Sequence, residues 1–489
     1  MAKQKFREFD IIPIYAPVSG LAGHVPSTML KPQFCADCLN VRFKNGEVRK
    51  RTGYVAYGTG TITGVPLGFF RYQKWDGTEY TILATTTNVY YLNAGAWDSI
   101  ANSLNGSVDS RCRFMNIQDK LLFTNKVDGI AEWDGITWQA IAGASDYKTG
   151  LILPHSFRVV AFDMVESGNP VPIRMRWSDI GDYSSWSSNS FIDLTEGAGA
   201  RIVGAEPIYD YIAVYKDYSI LMINYIGGTS IFSPNVHIHN MGLAARDAIV
   251  NLHTHHVFLG WDNVYAWNAG WQLQEIGNAI KEELFSELND DNIGRCFMIH
   301  NSKEKEIHLF TPIATDSYPT RFWTYKYEIS QEEGIRGVWS KNVLASTSCG
   351  NSVTIGGTER SLLGLSNGTI VHYDYTSLND IAEAIASYFE TPDFVISEEE
   401  YILEKETFQG LSVEAQGHKL TLNYSKNLGT TYTSLPEKTL QSTTNYNQED
   451  WFFKDQGSQM RFKFTNNNAG ETYKFRFYAL KLIPKEALK

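Results

Sequence analysis

The sequence predicts an all-β protein: a β-propeller with a C-terminal β-sandwich domain and an extended N-terminal arm. Three observations carry that prediction. Aromatic residues reach 13% of 489 residues and 39 glycines supply turns, a composition that favours strands over helices. Short strand pairs recur through the middle of the chain, each joined by an Asp/Asn/Gly turn. Within the last hundred residues, two stretches, Met460 to Phe464 and Tyr473 to Phe477, alternate strictly between aromatic or apolar and basic side chains.

Residues 1–60 read as the extended arm and a basic hairpin. Pro13, Pro17, Pro26 and Pro32 recur too often for a helix, and each restricts its neighbour. In the run from Asn40 to Arg51, Val41 and Phe43 alternate with Arg42 and Lys44. Asn45-Gly46 then provides the two positive φ angles of a type I′ turn, and Val48 begins a returning strand. One face of this hairpin is apolar and the other basic.

Residues 61–388 repeat a loose unit of strand, polar turn and strand. Copies run from Phe69 to Gly77, from Thr81 to Leu92 and from Lys120 to Trp138. Others run from Tyr211 to Ile223, His256 to Trp267 and Ser361 to Tyr373. Spacings of roughly 40–50 residues suit propeller blades, six to eight of them, whose sheets need neighbours to bury their faces. A row of sandwiches is the rival architecture. Two short helices are expected within this region. One spans Asn278 to Leu288, capped by Asn278, with Ile280, Leu284 and Leu288 on one face; the other spans Asp380 to Tyr388.

Residues 389–489 read as the sandwich. Met460 to Phe464 and Tyr473 to Phe477 each alternate aromatic and basic positions, with Asn466 to Gly470 as the turn between them. Leu420, Leu422 and Tyr424 mark a further strand.

Charge and cysteine content exclude several classes. Acidic residues outnumber basic ones 54 to 43, so the surface as a whole is no nucleic-acid adhesive. Residues 1–60 oppose that trend, with nine Lys/Arg against four acids. The first residues are charged and lack an apolar core segment, so a secretory signal is not expected, and no run reaches the length of a membrane span. Five cysteines, an odd number, point to a reducing compartment during synthesis.

Chemistry-bearing motifs are sparse. Cys35-Ala36-Asp37-Cys38 lacks the second ligand pair of a zinc site and follows a proline-rich stretch instead of opening a helix, so two buried thiols are expected. His237/His239 and His253/His255/His256 have i, i+2 spacing that could suit a metal on a strand, although structural positions explain them as well. Glu398 to Glu400 and Asp290-Asp291 read as solvated loop charges. H-E-x-x-H, P-loop and EF-hand patterns are absent. Ser425 to Tyr432 resembles the Asp-box turn of sialidase-like propellers, with Asn427 in place of Asp and Tyr432 in place of Trp. No catalytic residue, metal ligand or cofactor is expected. The strongest local signal is the basic hairpin, with Arg42, Lys44, Arg49, Lys50 and Arg51 as interface candidates. They fit phosphate contact, docking on an acidic neighbouring subunit, or a solvated face.

The stretch Asp37 to Tyr54, with its N-V-R-F-K-N-G-E-V-R-K-R-T-G-Y run, resembles the N-terminal region of virion propeller proteins of tailed bacteriophages. Arg176 to Trp186, Phe191 to Leu194, Ile212 to Ile220 and Met241 to Trp267 are similar to family segments in the same order. The resemblance to the tail nozzle or hub proteins of short-tailed phages implies a structural virion protein without catalytic residues. It implies a ring, of six copies in the family, below the portal and adaptor proteins and contacting tail fibre or spike proteins. Such a ring prolongs the DNA channel, retains the genome and lets double-stranded DNA pass at ejection, without stable membrane insertion. It implies residence in the virion tail after synthesis in the host cytoplasm. The alternative reading is a glycan- or receptor-binding virion propeller, since aromatic faces stack on sugars. A propeller glycosidase is a third.

Overall fold

The computed structural model describes residues 10–228, 230–330, 334–395 and 406–483. The charged run at Glu398 to Glu400 lies outside the described residues. Among the described residues no helix is long and apolar enough to cross a membrane.

Seven four-stranded antiparallel sheets follow one another along the chain. Blades 1 to 6 span residues 66–101, 113–140, 147–193, 202–239, 249–275 and 297–343. Blade 7 takes three strands from residues 347–373, and its fourth is Tyr54–Ala56, from ahead of blade 1. Val371, His372 and Tyr373 pair with Ala56, Val55 and Tyr54. The innermost strands of blades 7 and 1 meet, with Asn351 Nδ2 donating to the Phe69 carbonyl at 2.9 Å. The ring is therefore a seven-bladed β-propeller, closed by a strand from the N-terminal side. Closure completes the seventh blade, and only outer blade edges remain.

The strands form where apolar and β-branched residues cluster. Val159 to Phe162, Ile212 to Tyr215 and Val257 to Leu259 are wholly buried because both faces of a blade are covered. Adjacent blades share clusters of these side chains, such as Val160, Phe162, Val214 and Leu221 between blades 3 and 4.

The second body is a sandwich drawn from both ends of the chain. One sheet orders Val41–Lys44, Glu47–Lys50, Tyr473–Ile483, Glu406–Gly417 and Asn447–Gly457, with Asp10–Tyr15 also pairing Tyr473–Ile483. The other orders Asp37–Leu39, Ser387–Glu390, Gln459–Asn466, Lys419–Ser425 and Thr433–Ser434. Phe389, Phe464 and Phe475 pack in the core between them, with ring centroids 4.7 to 4.9 Å apart. The extended N-terminal arm is thus threaded through the sandwich. The boundaries 1–60, 61–388 and 389–489 follow the chain, whereas in space the two bodies interleave.

Four local expectations are corrected. The helix spans only Lys281–Glu287, and the Asn278 side chain accepts from Asn263 Nδ2 instead of capping it. Ile280, Leu284 and Leu288 do form its buried face. The second helix is absent: Asn379–Asp380 and Glu383–Ala384 pair as a small hairpin, followed by the strand Ser387–Glu390. Arg51 grips Asp380, and Ile381 N donates to the Tyr54 carbonyl, which fixes this segment in an extended path. The strands flanking Asn466 to Gly470 do not pair; that turn crosses from one sheet to the other. Finally, alternation in the last strand breaks at Arg476. Glu414 pairs with Phe477 and Ala415 with Phe475, so Arg476 is an extra residue in a β-bulge. Beyond it Tyr478 turns into the core and Phe477 turns away from it.

Candidate functional site

The basic hairpin is the first site to locate, and its cations face inward. Arg42 Nη2 lies 2.5 Å from Glu306 Oε1 and 3.0 Å from Glu304 Oε2, while its Nη1 donates to the Tyr373 hydroxyl at 2.8 Å. Glu306 belongs to blade 6 and Tyr373 to blade 7, so one guanidinium joins the sandwich to two blades. The carboxylates hold its proton even more firmly than in free arginine, against the cost of burial. Lys44 Nζ reaches Glu304 at 2.6 Å. Arg49 pairs with Glu47 at 2.7 Å across a half-buried face. Lys50 Nζ is buried against Asn466 Oδ1 and the Asn468 carbonyl, and burial pushes its ammonium down to about 8. Arg51 donates to Asp380, to Asn40 Oδ1 and to the Val343 carbonyl.

The structure thus engages Arg42, Lys44, Arg49, Lys50 and Arg51 within the chain. Arg42, Lys44, Arg49 and Arg51 each have a carboxylate partner in the same chain, and Lys50 is buried against two asparagines. Sequence could supply the cations but not Glu304, Glu306 and Asp380, which lie more than 250 positions away. A second lock stands beside the first. Lys341 on the outer strand of blade 6 pairs with Asp37 at 2.7 Å and Glu283 at 2.6 Å.

The other motifs resolve into structural roles. Cys35 and Cys38 are free, buried thiols, and burial raises both far above the reactive range. His256 lies buried between the Tyr215 hydroxyl at 2.7 Å and the Pro207 carbonyl at 3.1 Å; desolvation pushes it down to about 4. His253 is exposed in a turn, and the His237 ring stacks on Trp271 at 3.9 Å. Asp290 and Asp291 open a short 3-10 helix. Among the described residues no three His, Cys, Asp or Glu side chains converge as a metal site. Asn427 Oδ1 accepts from the Thr431 amide at 3.0 Å, and Gly429 sits at φ +78°, so the Asp-box-like segment is a turn device. Gly364 to Gly368 spells G-x-S-x-G, but it occupies a strand-to-strand turn in blade 7, whereas a nucleophile elbow joins a strand to a helix.

Sequence reasoning missed one face of the propeller. In each antiparallel blade the turns joining strands 1 to 2 and 3 to 4 lie on the same side of the ring. Those turns display Trp75, Ile136, Phe157, Ile180, Tyr209, Ile226 and Trp271, all exposed, with Ile136 at 90%. Asp76, Asp119, Asp134, Asp182 and Asp210 stand among them. The turns brace each other: the Trp75 amide donates to Asp119 at 2.7 Å, Gln118 to the Gly181 carbonyl at 2.6 Å, and the Gly181 amide to the Phe157 carbonyl at 2.8 Å. Each residue looked like an isolated turn residue in sequence. Only the ring gathers them. The outer sheet of the sandwich presents a different mixture. Tyr15, Phe452 and Phe477 point outward with Lys454, Arg476 and Lys481 around them.

No family model and no curated protein matches the chain. Solved structures similar to it include the Pan2 WD40 domain of Neurospora crassa, at 7% identity and TM-score 0.41, covering 68% of this chain and 97% of that one. BBS1N, solved in complex with ARL6DN, is similar at 12% identity and TM-score 0.41, covering 67% and 99%. PorZ of Porphyromonas gingivalis matches at 8% identity and TM-score 0.36, covering 75% and 44%. The blade count and ring closure rest on the strand pairing above.

Proposed function

We propose that the chain is a structural virion protein of a phage tail, a subunit of a nozzle or hub ring that extends the DNA channel below portal and adaptor. In this reading it is not an enzyme. It holds the packaged genome and then releases it. The observation that supports the reading is the pair of unlike faces on one rigid molecule. The propeller turn face is apolar and acidic; the outer sheet of the sandwich is aromatic, with Arg476 and Lys481 paired to Glu47, Glu414 and Asp450. Exposed apolar patches rimmed by charge mark association surfaces. A contact of the first face on the second face of the next copy is heterologous, and heterologous contacts close into rings when the rotation permits. Because Arg42 and Lys341 lock sandwich to propeller, the angle between the two faces is fixed within each subunit.

The test is oligomer mass across a range of protein and salt concentrations, with imaging of the product. A closed ring is expected, held chiefly by apolar contact. Phe157→Asp or Phe452→Glu should each dissolve it while the monomer stays folded. A strict monomer that also fails to bind a portal–adaptor complex would overturn the proposal.

One observation favours a second reading, a glycan-binding virion propeller. Trp271 is 70% exposed and backed by the His237 ring, which makes a flat platform suited to a sugar face. Glycan-array binding that disappears in Trp271→Ala would favour it over the ring.

A further inference from the structure

The opposite side of the propeller carries a different feature. There the inter-blade connections and the 2-to-3 turns surround the mouth of the central channel, and a cavity of about 510 Å³ opens. Its charged lining is Arg111, Lys126, Arg201, Arg246, Asp109 and Asp163. The two carboxylates are already committed. Asp163 takes Lys126 Nζ at 2.7 Å and Arg246 Nη2 at 2.5 Å, and Asp109 is held from outside by Arg295 Nε at 2.8 Å.

Deeper in the channel, Asp247 accepts from Arg113 at 2.5 Å and lies 3.5 Å from Arg111 Nε. That is too long for a hydrogen bond, and Arg111 Nε is buried without one, in a side chain only 4% exposed. The Arg201 guanidinium makes no ion pair or hydrogen bond among the described residues. Five cations, Arg113 included, thus stand among four carboxylates, Asp109, Asp163, Asp247 and Glu206; Asp163 and Asp247 each serve two cations, and Arg201 has no acidic side-chain partner among the described residues. Burial raises the Glu206 carboxyl, and Arg246 is held below the usual arginine range by burial and by Arg113. Guanidinium groups that share one carboxylate keep N–H donors for a further anion, and the exposed Arg201 guanidinium has all of its own to offer.

We propose that this mouth of the channel is a binding site for a compact oligophosphate, with Arg201 and Lys126 as outer contacts and Arg111 and Arg246 beneath. The phosphate chemistry suits forked guanidinium donors, and the cavity is of small-ligand size. The site does not depend on ring assembly, since every residue named belongs to one chain.

Isothermal titration of the full chain with inorganic pyrophosphate at low salt tests it. One saturable site per chain is expected, weakening as salt rises. Arg201→Gln, an exposed position that leaves folding intact, should weaken binding by about tenfold, the value of one charge-assisted contact. Lys126→Gln should weaken it too. Lys74→Gln, on the opposite face, should change nothing. A nucleoside triphosphate titrated in parallel separates the sources: tighter binding than pyrophosphate assigns the site to a nucleotide, equal binding to free oligophosphate. Absence of saturable binding by either probe, or equal weakening by Lys74→Gln, would overturn the proposal.

Discussion

At the scale of single residues, the chain uses charge where a core cannot reach. Arg42 is the clearest case, because it is mostly buried and satisfied by groups from two blades at once. Arg42→Ala leaves Glu304 and Glu306 buried with one fewer cation. We expect a loss of about 3–5 kcal/mol in urea unfolding, the size found when one partner of a buried pair is removed. The double variant with Glu306→Gln should lose less than the sum of the two single variants. The buried histidines make a second prediction. His256 falls from 6.5 to about 4 and His308 to about 3, both chiefly through desolvation. A lowered pKa means that the unfolded chain binds more protons between the two values, so stability drops as pH falls through 6.5 toward 4. His256 alone should contribute roughly 1–2 kcal/mol of that loss by about pH 5. Melting temperature against pH should flatten over this window in His256→Gln, and an unchanged slope would refute the assignment.

At the scale of elements, the closing strand Tyr54–Ala56 depends on its approach to the hairpin at Asn379–Ala384. Gly53 runs so close that a Cβ there would lie 1.9 Å from the Asn379 carbonyl oxygen. Gly53→Ala must therefore push the strand and the hairpin apart. We expect at least about 2 kcal/mol of destabilisation, and limited proteolysis should then cut first near residues 50–60. Elements also explain what could be read from sequence. Hairpins with Asn, Asp or Gly in the turn were legible, as at Asn45-Gly46 and Asp134-Gly135. Blade 3 was not, because its first turn is Ser156-Phe157, two residues at φ +49° and +59° that carry no turn signature. The Arg476 bulge was equally hidden: an extra residue changes which face a side chain takes without changing the alternation of the letters. The helix expected at 380–388 failed for a tertiary reason, the grip of Arg51 on Asp380.

For the whole molecule, sequence conveyed the architecture and the two kinds of β body but not their interweaving. The basic hairpin was noticed for its charge. Its role depends on acids that only folding brings near. The exposed turn face shows the same limit, since Trp75 and Trp271 share a surface only after seven blades close. A prediction belongs at this scale. Substituting Trp75 with Glu should leave the melting temperature within about 1 °C of the parent, as surface changes away from packed features do, yet shift the assembly equilibrium toward monomer in sedimentation. Loss of assembly accompanied by a large drop in melting temperature would instead mean that the turn supports the fold.

The interweaving bears on how the chain is made. Asp10–Tyr15 and Asp37–Leu39 are made long before their partner strands at 387–483, and the Val41–Lys50 hairpin, though it pairs with itself, docks on Tyr473–Ile483. At ordinary synthesis rates Asp10–Tyr15 and Asp37–Leu39 wait on the order of tens of seconds with unpaired backbone, and Ile14, Val41 and Phe43 stay uncovered. Newly made chains should therefore be cleavable in this region until translation ends, and nascent chains stalled before residue 387 should bind holding chaperones there. The feature that stitches the folded molecule shut also leaves residues 10–50 unprotected until residues 387–483 have been made.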